Sequence, residues 1–328
     1  MKKLVALALL GLAAMADGQP AAAQTPTRIT FLTNYVFHGR HSPFFLGLEK
    51  GFYKDAGFDI QITPATGSGF VVTAIDGGKA DYGMSDPGSV IQGIAKGARI
   101  KAFSVLMDVT TSGLASLKPY PKPEDLKGAT IAASLTDSAR VTVPIVCSMH
   151  KLDAAALKWQ TADPSVYISL LLGGQVDLFT ASIDGDVPAL AKVASRQGKE
   201  VHFSSFAEWG YDVFGYFLVA SADRLRDRPD EAKRFAEATA RAVKYAMDNP
   251  EENARVMVKH NPTLDYETTL AQWRQSIKAI NTDYMKKHGY GVATVDRLQR
   301  TIDLVKTALK LEANLTPDQV FVGAAPGH

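Results

Sequence analysis

Short apolar strands alternate with helices from Thr27 onward, and this alternation constrains the fold more than any other feature of the chain. Strands are predicted at Ile29–Leu32, Phe58–Ile62, Ala80–Met84 and Ile100–Val105, with helical spacing between them. This order is typical of a mostly parallel sheet with helices on both faces. In such sheets, ligands bind along the edge where strands end and helices begin. The chain is therefore first of all a candidate small-molecule binder.

A second α/β unit follows a proline-rich crossing. Three prolines stiffen the segment 117–128, after which the strand–helix alternation restarts. Val213–Ser221 is predicted to be a strand that returns to the first sheet, and helices complete the chain. We therefore predict an α/β fold with two lobes, two chain crossings and a central cleft. Residues 27–118 and 218–328 form the predicted first lobe, and residues 119–217 form the second.

The N-terminal residues fit an export signal. Lys2 and Lys3 give a positive start, Leu4–Met15 is apolar, and Ala21–Ala23 offers a small-residue cleavage site. The apolar run is too short for a membrane-spanning helix. We predict that Met1–Ala23 is a cleaved signal peptide and that the mature protein is periplasmic. An uncleaved anchor or a buried N-terminal helix is the alternative.

Charge and cysteine content narrow the function classes. The formal net charge is +2, which gives no basic surface for nucleic acid or for an acidic membrane. The single cysteine, Cys147, rules out a disulfide or a cysteine metal cluster within one chain. Because it lies in the apolar run VPIVCSMH, we expect it to be buried. We expect no nucleic-acid partner, no metal and no cofactor.

Several stretches, in a fixed order along the chain, resemble one family. They include HSPFFLGLEKGFYKDAGFDIQI, GGKADYGMSD, PEDLKGATIA, LLGGQVDLF and DRPDEAKRFAEATARAVKYAMDNPEENA. Together they are similar to periplasmic substrate-binding proteins of ABC importers, in the nitrate/sulfonate/bicarbonate group and the thiamine-pyrimidine-precursor binders. The resemblance implies a bilobed periplasmic-binding-protein fold of type II, a monomer, a small-molecule ligand and an ABC permease of the inner membrane as partner.

The loop after the first strand carries candidates for ligand contact. In the pyrimidine-binding relatives an aromatic residue, asparagines and a histidine occupy this loop; the corresponding positions here are Tyr35, His38, Arg40 and His41. Only Tyr35 and His41 keep that pattern. The ligand class therefore stays open between a heteroaromatic thiamine precursor and a small organic anion. No acid or thiol at matching spacing accompanies His38 and His41, so we predict that they hydrogen-bond a ligand and do not bind a metal.

Helix starts of the first lobe supply further candidates. Gly67 and Ser68 open a helix whose free N–H groups suit an anionic or carbonyl oxygen, and a plain turn is the alternative. Ser85 and Asp86 precede another helix. Asp86 either caps that helix or accepts a hydrogen bond from a ligand amino group. Ser112 lies in TTSGLASLK, a stretch that resembles the pyrimidine-binding relatives.

The second lobe offers both anion-binding and ring-binding candidates. Thr136 and Ser138 lead into a helix in which Arg140 is placed to bind an anion through two hydrogen bonds. In the alternative, this segment only caps the helix and Arg140 forms an ion pair on the surface. Asp184 follows a strand and suits a cationic or amino-bearing ligand. Trp209 is the preferred stacking surface for a ring, and a core position is its alternative.

These features predict a non-catalytic solute-binding protein of an ABC import system, which captures a small molecule between its lobes and delivers it to a permease. One alternative is an enzyme similar to the thiamine-pyrimidine synthase of the same fold, which consumes its own histidine and uses iron with a cysteine-rich motif. Cys147–His150 does not reproduce that motif, and no catalytic triad has supporting spacing. We therefore expect no enzymatic activity. The other alternative is a ligand-sensing partner of a membrane receptor.

Overall fold

Two five-stranded sheets form the framework of the computed structural model, which describes residues 25–325. The predicted signal peptide, Met1–Ala23, lies outside these residues. The strands are β1 (Thr27–Leu32), β2 (Phe58–Thr63), β3 (Tyr82–Ser85), β4 (Ile100–Met107), β5 (Ser112–Ser116), β6 (Thr130–Ala133), β7 (Lys158–Thr161), β8 (Leu178–Ser182), β9 (His202–Ser205) and β10 (Tyr216–Ser221). The first sheet has the order β2-β1-β3-β10-β4, and the second has the order β7-β6-β8-β5-β9.

Each sheet combines parallel strands with one strand that arrives from the other lobe. In the first sheet β1 pairs in parallel with β2 and β3, whereas β10 is antiparallel to β3 and β4. In the second, β6 is parallel to β7 and β8, whereas β5 is antiparallel to β8 and β9. The chain crosses between lobes along the edge where the parallel strands end. A strand that starts from this edge must run in the opposite direction.

The position of β5 differs from the sequence-based expectation. Ser112–Ser116 falls within the predicted first lobe, residues 27–118, but it hydrogen-bonds with β8 and β9 in the second sheet. The first crossing therefore comes before Ser112, not in the proline-rich segment that follows. The prolines lie beyond β5, in the connection to β6.

Helices cover both faces of the sheets and complete the chain. They are α1 (Ser42–Glu49), α2 (Phe52–Asp55), α3 (Ser68–Asp76), α4 (Pro87–Ala95), α5 (Ala139–Met149), α6 (Tyr167–Leu172), α7 (Asp186–Ser195), α8 (Ala222–Asp227), α9 (Pro229–Asp248), α10 (Pro250–His260), α11 (Tyr266–Ile280), α12 (Asp283–His288), α13 (Val295–Leu309) and α14 (Pro317–Val320). Among residues 25–325, no helix has both the length and the apolar character needed to cross a membrane.

Long amphipathic helices follow β10, as the apolar spacing predicts. In α9, Phe235 and Thr239 lie on the buried stripe, and the ring of Phe235 stacks on Tyr82 of β3 at 4.4 Å between centroids. This contact anchors the C-terminal helices to the first sheet.

An apolar core spans both lobes on the hinge side of the cleft. Ile91 of α4, Ile145 of α5 and Ile302 of α13 are fully buried in one cluster. Cys147 of α5 belongs to it, which confirms the prediction of a buried thiol; burial raises the pKa of that thiol.

Candidate ligand-binding site

A polar cavity lies in the cleft, where strands of both sheets end. It encloses about 350 Å³ of space free of atoms, including its opening to solvent. Both lobes contribute, with Asn34, Tyr35, Arg40, Gly67, Ser68 and Tyr216 from the first and Ser112, Asp137, Ser138, Thr180, Ala181, Ser182 and Asp186 from the second.

A buried ion pair joins the two lobes at this cavity. Nη2 of Arg40, in the loop after β1, lies 3.1 Å from Oδ1 of Asp184, which follows β8. The same Nη2 donates a hydrogen bond to Oγ of Ser182 at 2.6 Å, and Ser276 of α11 donates to Oδ2 of Asp184 at 2.8 Å. Burial disfavours the guanidinium cation, but Asp184, Tyr216 and Asp186 together outweigh this effect and raise the pKa of Arg40. Each charge of the pair is therefore neutralised by the other.

Two further carboxyl groups face the cavity. Asp137 accepts from the N–H of Ala139 at 2.9 Å and from Oγ1 of Thr180 at 3.0 Å, and Asp186 accepts from the N–H of Ser182 at 2.9 Å. Burial raises the pKa of Asp137 to about 7 and that of Asp186 to about 6. Because Asp184 neutralises the charge of Arg40, these two carboxyl groups are the acidic groups that remain in the cavity, while Nε and Nη1 of Arg40 have no hydrogen-bond partner among residues 25–325.

Tyrosines supply the aromatic surface of the cavity. Tyr35 and Tyr216 both line it, and the guanidinium of Arg40 lies 4.5 Å from the centroid of the Tyr216 ring. Within the described chain the hydroxyl of Tyr35 has no hydrogen-bond partner. Burial, together with the charge of Asp186, raises the pKa of this hydroxyl well above its ordinary value, so it is a protonated donor.

The helix start at Gly67 joins the lobes by direct backbone contact. The N–H of Gly69 donates to the carbonyl of Thr136 in the second lobe at 3.1 Å. A Cβ at Gly67 would lie only 2.2 Å from that carbonyl oxygen, and its φ of 154° is one that other residues rarely adopt. The N–H of Gly69 is therefore engaged across the cleft and is not free for an anion.

Of the residues proposed from the sequence, five line the cavity together: Tyr35, Gly67, Ser68, Ser112 and Ser138. Several others lie next to it and support its walls. Asp86 caps α4 by accepting from the N–H of Ser89 at 3.0 Å, Ser85 donates to the carbonyl of Ser68 at 3.4 Å, and Oγ1 of Thr136 lies 3.1 Å from Oγ1 of Thr66. Asp184 holds Arg40, as described above.

Two candidates lie elsewhere. Arg140 donates to the carbonyls of Ser134 and Ala133 at 3.2 and 3.0 Å and stacks on Trp159, so its donors are used to hold the end of β6. The indole of Trp209 donates to the carbonyl of Pro121 at 3.0 Å and packs in the apolar core. Neither residue lines the cavity, because backbone carbonyls of their own lobe satisfy their polar groups.

The two histidines are buried side by side, with ring centroids 4.4 Å apart. Nδ1 of His41 accepts from the N–H of His38 at 3.4 Å, which leaves the proton on Nε2, 3.1 Å from Oδ1 of Asn34. His41 therefore positions Asn34, a cavity residue. Burial lowers the pKa of both imidazoles, so both are neutral.

Asn34, Arg40, Asp137, Asp186 and Tyr216 were not proposed as ligand contacts from the sequence. Most of them lie at or just beyond the cleft-side end of a strand or at a helix start, the positions expected for ligand contacts in an open sheet. Asp137 precedes α5, accepts a hydrogen bond from the N–H of Ala139 in its first turn, and lines the cavity as well.

The sequence model described as "NMT1/THI5 like" matches residues 38–253, about two thirds of the chain. The chain belongs to the NMT1/THI5-like family. This confirms the family resemblance. The 4-amino-5-hydroxymethyl-2-methylpyrimidine phosphate synthase THI13 of Saccharomyces cerevisiae is 25% identical over 293 residues, covering 80% of this chain and 82% of the yeast protein. The synthase of that name from Legionella pneumophila is 20% identical over 254 residues, covering 74% and 77%.

Solved structures confirm the bilobed periplasmic-binding-protein fold for this NMT1/THI5-like protein. The alkanesulfonate-binding protein SsuA from Xanthomonas axonopodis pv. citri, bound to MOPS, superimposes with a TM-score of 0.69 at 13% identity, covering 90% of this chain and 98% of SsuA. The periplasmic nitrate-binding protein NrtA from Synechocystis gives a TM-score of 0.58 at 14% identity, covering 74% and 69%.

The expectation that this NMT1/THI5-like protein is not an enzyme is contradicted by its sequence relatives. The yeast and Legionella proteins are both named as synthases and align over most of the chain. The expectation depended on the absence of the cysteine-rich motif and of a catalytic triad with supporting spacing, whereas the likeness to the synthases covers most of the chain.

Proposed function

We propose that this protein is the solute-binding component of an ABC import system and captures an amino-bearing heteroaromatic molecule in the acidic cavity between its lobes. It acts in the periplasm as a monomer, after removal of the signal peptide, and delivers its ligand to a permease. The observation that carries the proposal is the charge balance of the cavity. Asp184 neutralises Arg40, while Asp137 and Asp186 remain to recognise the ligand.

An aminopyrimidine matches these groups. Its amino group and protonated ring nitrogen donate to Asp137 and Asp186, and the ligand shifts both acids to the charged form. The ring lies against Tyr35 or Tyr216, and the Tyr35 hydroxyl donates to an acceptor of the ligand. The pyrimidine named for the synthase relatives has this chemistry. A sulfonate would instead face two carboxyl groups and an arginine that is already paired.

Closure of the lobes completes the site. Ser182 and Asp186 come from the second lobe, whereas Tyr35 and Arg40 come from the first. The bonds from Arg40 to Ser182 and from Gly69 to Thr136 form only when the lobes are together. A ligand that contacts both lobes therefore favours the closed state through its differential affinity.

Isothermal titration calorimetry of the mature protein tests the ligand class. The probes are 4-amino-5-hydroxymethyl-2-methylpyrimidine, an alkanesulfonate and nitrate. We expect binding of the pyrimidine, a loss of at least tenfold in Asp137→Asn, and no change in Asp59→Asn, a matched control at an exposed position of β2. Binding of the sulfonate with no binding of the pyrimidine would overturn the proposal.

Synthase activity of the kind named for the relatives is a second candidate, favoured by their alignment over 80% of the chain. The chain has a single cysteine, and residues 25–325 contain no group of three His, Cys, Asp or Glu side chains placed to hold a metal ion. These residues do not fit a cysteine-held iron, so we derive no iron-dependent step. Mass spectrometry for the aminopyrimidine phosphate after incubation of the purified protein separates the two functions: product formation supports the synthase.

A further inference from the structure

One buried glutamine of α11 joins the two backbone segments that carry site residues of opposite lobes. Oε1 of Gln272 accepts a hydrogen bond from the N–H of Gly39 at 2.7 Å, and its Nε2 donates to the carbonyl of Gly185 at 2.6 Å. Gly39 directly precedes Arg40 in the first lobe, and Gly185 directly precedes Asp186 in the second. Gln272 is only 5% exposed. Its side-chain amide therefore bridges the lobes next to the cavity, shielded from solvent.

The helix that carries this glutamine is anchored to the first lobe. Nε1 of Trp273 donates to the carbonyl of Ala246 in α9 at 2.9 Å, and its ring is buried in the core of that lobe. The loop after β1 packs directly on α11, because an added Cβ at Gly39 would lie 2.4 Å from the carbonyl oxygen of Thr269 and 2.6 Å from Cβ of Gln272. Since α11 belongs to the first lobe, its bonds to the second lobe exist only when the lobes are closed.

Ser276, one turn further along α11, makes a second bond to the same segment of the second lobe. Its Oγ donates to Oδ2 of Asp184 at 2.8 Å. Neither Gln272 nor Ser276 is among the residues that line the cavity. These two bonds to the second lobe, here called the α11 contact, stabilise the closed arrangement without touching a ligand in the cavity. The nearby ion pair between Lys192 and Asp265 contributes little, because both of its side chains are partly exposed.

We propose that Gln272 is a positioning residue that holds the cleft closed and thereby retains the ligand. Its two hydrogen bonds fix the loop that carries Arg40 relative to the turn that carries Asp186, on opposite sides of the cavity. The bridge favours closure of the unliganded protein and opposes reopening when a ligand is bound. Its loss therefore speeds release of the ligand and does not slow entry into the open cleft. The effect on release rests on the proposed function of the cavity, whereas the effect on closure does not.

The test compares the mature wild type with Gln272→Met, Ser276→Ala and a control. Small-angle X-ray scattering without ligand gives the radius of gyration, and surface plasmon resonance with 4-amino-5-hydroxymethyl-2-methylpyrimidine gives the association and dissociation rate constants. We expect Gln272→Met to raise the radius and to raise the dissociation rate constant about tenfold, with no fall in the association rate constant. Ser276→Ala should change the radius and the dissociation rate constant in the same direction by a smaller amount.

Thr239→Val is the matched control, since Thr239 is a buried hydrogen-bonding side chain whose partners Tyr53 and Phe235 both lie in the first lobe. This variant should lower the melting temperature and leave the radius and both rate constants unchanged. A loss of stability alone is thereby separated from a loss of closure.

An unchanged radius in Gln272→Met would overturn the proposal. A lower association rate constant would also overturn it, because the substitution would then damage the site itself. If the radius rises while the dissociation rate constant equals that of the wild type, the role in retaining the ligand is refuted. Should Gln272→Met fail to fold, Ser276→Ala decides the question by the same readouts. If the pyrimidine does not bind the wild type, the proposed function fails, and the scattering data still decide whether the α11 contact holds the lobes closed.

Discussion

Removal of the carboxylate at Asp184 tests how the two lobes are held together. In Asp184→Ala the guanidinium of Arg40, only 2% exposed, loses its counter-charge, and Ser276 loses its acceptor. Removing one partner of a buried ion pair costs about 3 to 5 kcal/mol, a large part of a typical stability of about 5 to 15 kcal/mol. Because the pair joins two lobes, separation of the lobes relieves this cost by hydrating Arg40. We therefore expect the variant to be more open and less stable.

Two measurements check this expectation. At about 2 °C per kcal/mol for a chain of this size, the melting temperature should fall by about 6 to 10 °C, and the radius of gyration from small-angle X-ray scattering should rise. The double variant Arg40→Met/Asp184→Leu is the control, since it removes both charges and should recover most of the loss. An unchanged radius together with a melting temperature within about 1 °C of the wild type would refute the reasoning.

Four further outcomes follow from the site. The folded-state pKa of Asp137, about 7, lies above the usual aspartate value near 4. The stability that this group contributes is therefore present below about pH 4 and is lost as the pH rises through about 7. Asp137→Asn should flatten this part of the curve when the free energy of unfolding is measured with denaturant at each pH. A cationic ligand needs the carboxylate, so its affinity, followed by calorimetry from pH 8 to pH 5, should fall through about pH 7 in the wild type and change less in Asp137→Asn. Gly67→Ala should weaken closure because its Cβ would meet the Thr136 carbonyl, whereas Gly198→Ala, also at a positive φ but in open space, should leave the scattering radius unchanged. Trp209→Phe should lower the melting temperature by a few degrees through loss of its core contacts and leave ligand affinity unchanged; a tenfold loss of affinity would place this residue in the site.

Periodicity predicted most of the elements but not the direction of two strands. The alternation after Thr27 is a local property, and it identified most strands and helices, although β5 and β9 were not predicted. Strand direction depends on which edge the chain enters after crossing between lobes, and neither β5 nor β10 carries a local signal for that. The same limit explains why Ser112–Ser116 was assigned to the wrong sheet.

Residue type alone misled the assignment of the charged site groups. Arg140 and Trp209 have suitable chemistry, but nearby backbone carbonyls satisfy their polar groups. Arg40 and Asp184 are far apart in sequence, so their neutralisation depends on the closed arrangement of the lobes. After this pairing, Asp137 and Asp186 are the acidic groups that remain in the cavity. Because the pairing joins residues that are far apart in the sequence, no local sequence pattern indicates the resulting charge of the cavity.

The neutralisation of Arg40 by Asp184 also bears on how substitutions would change which ligands the cleft binds. Arg40, the cation needed to bind an anionic ligand, already lines the cavity, and the carboxylate of Asp184 forms an ion pair with it. Loss of that carboxylate, together with neutral side chains in place of Asp137 and Asp186, would leave Arg40 to a sulfonate or a carboxylate without any change to the backbone. Under the proposed function, three acidic side chains, all in one lobe, separate a preference for a cationic ligand from a preference for an anionic one. Selectivity can then reverse while the two-lobed fold stays the same.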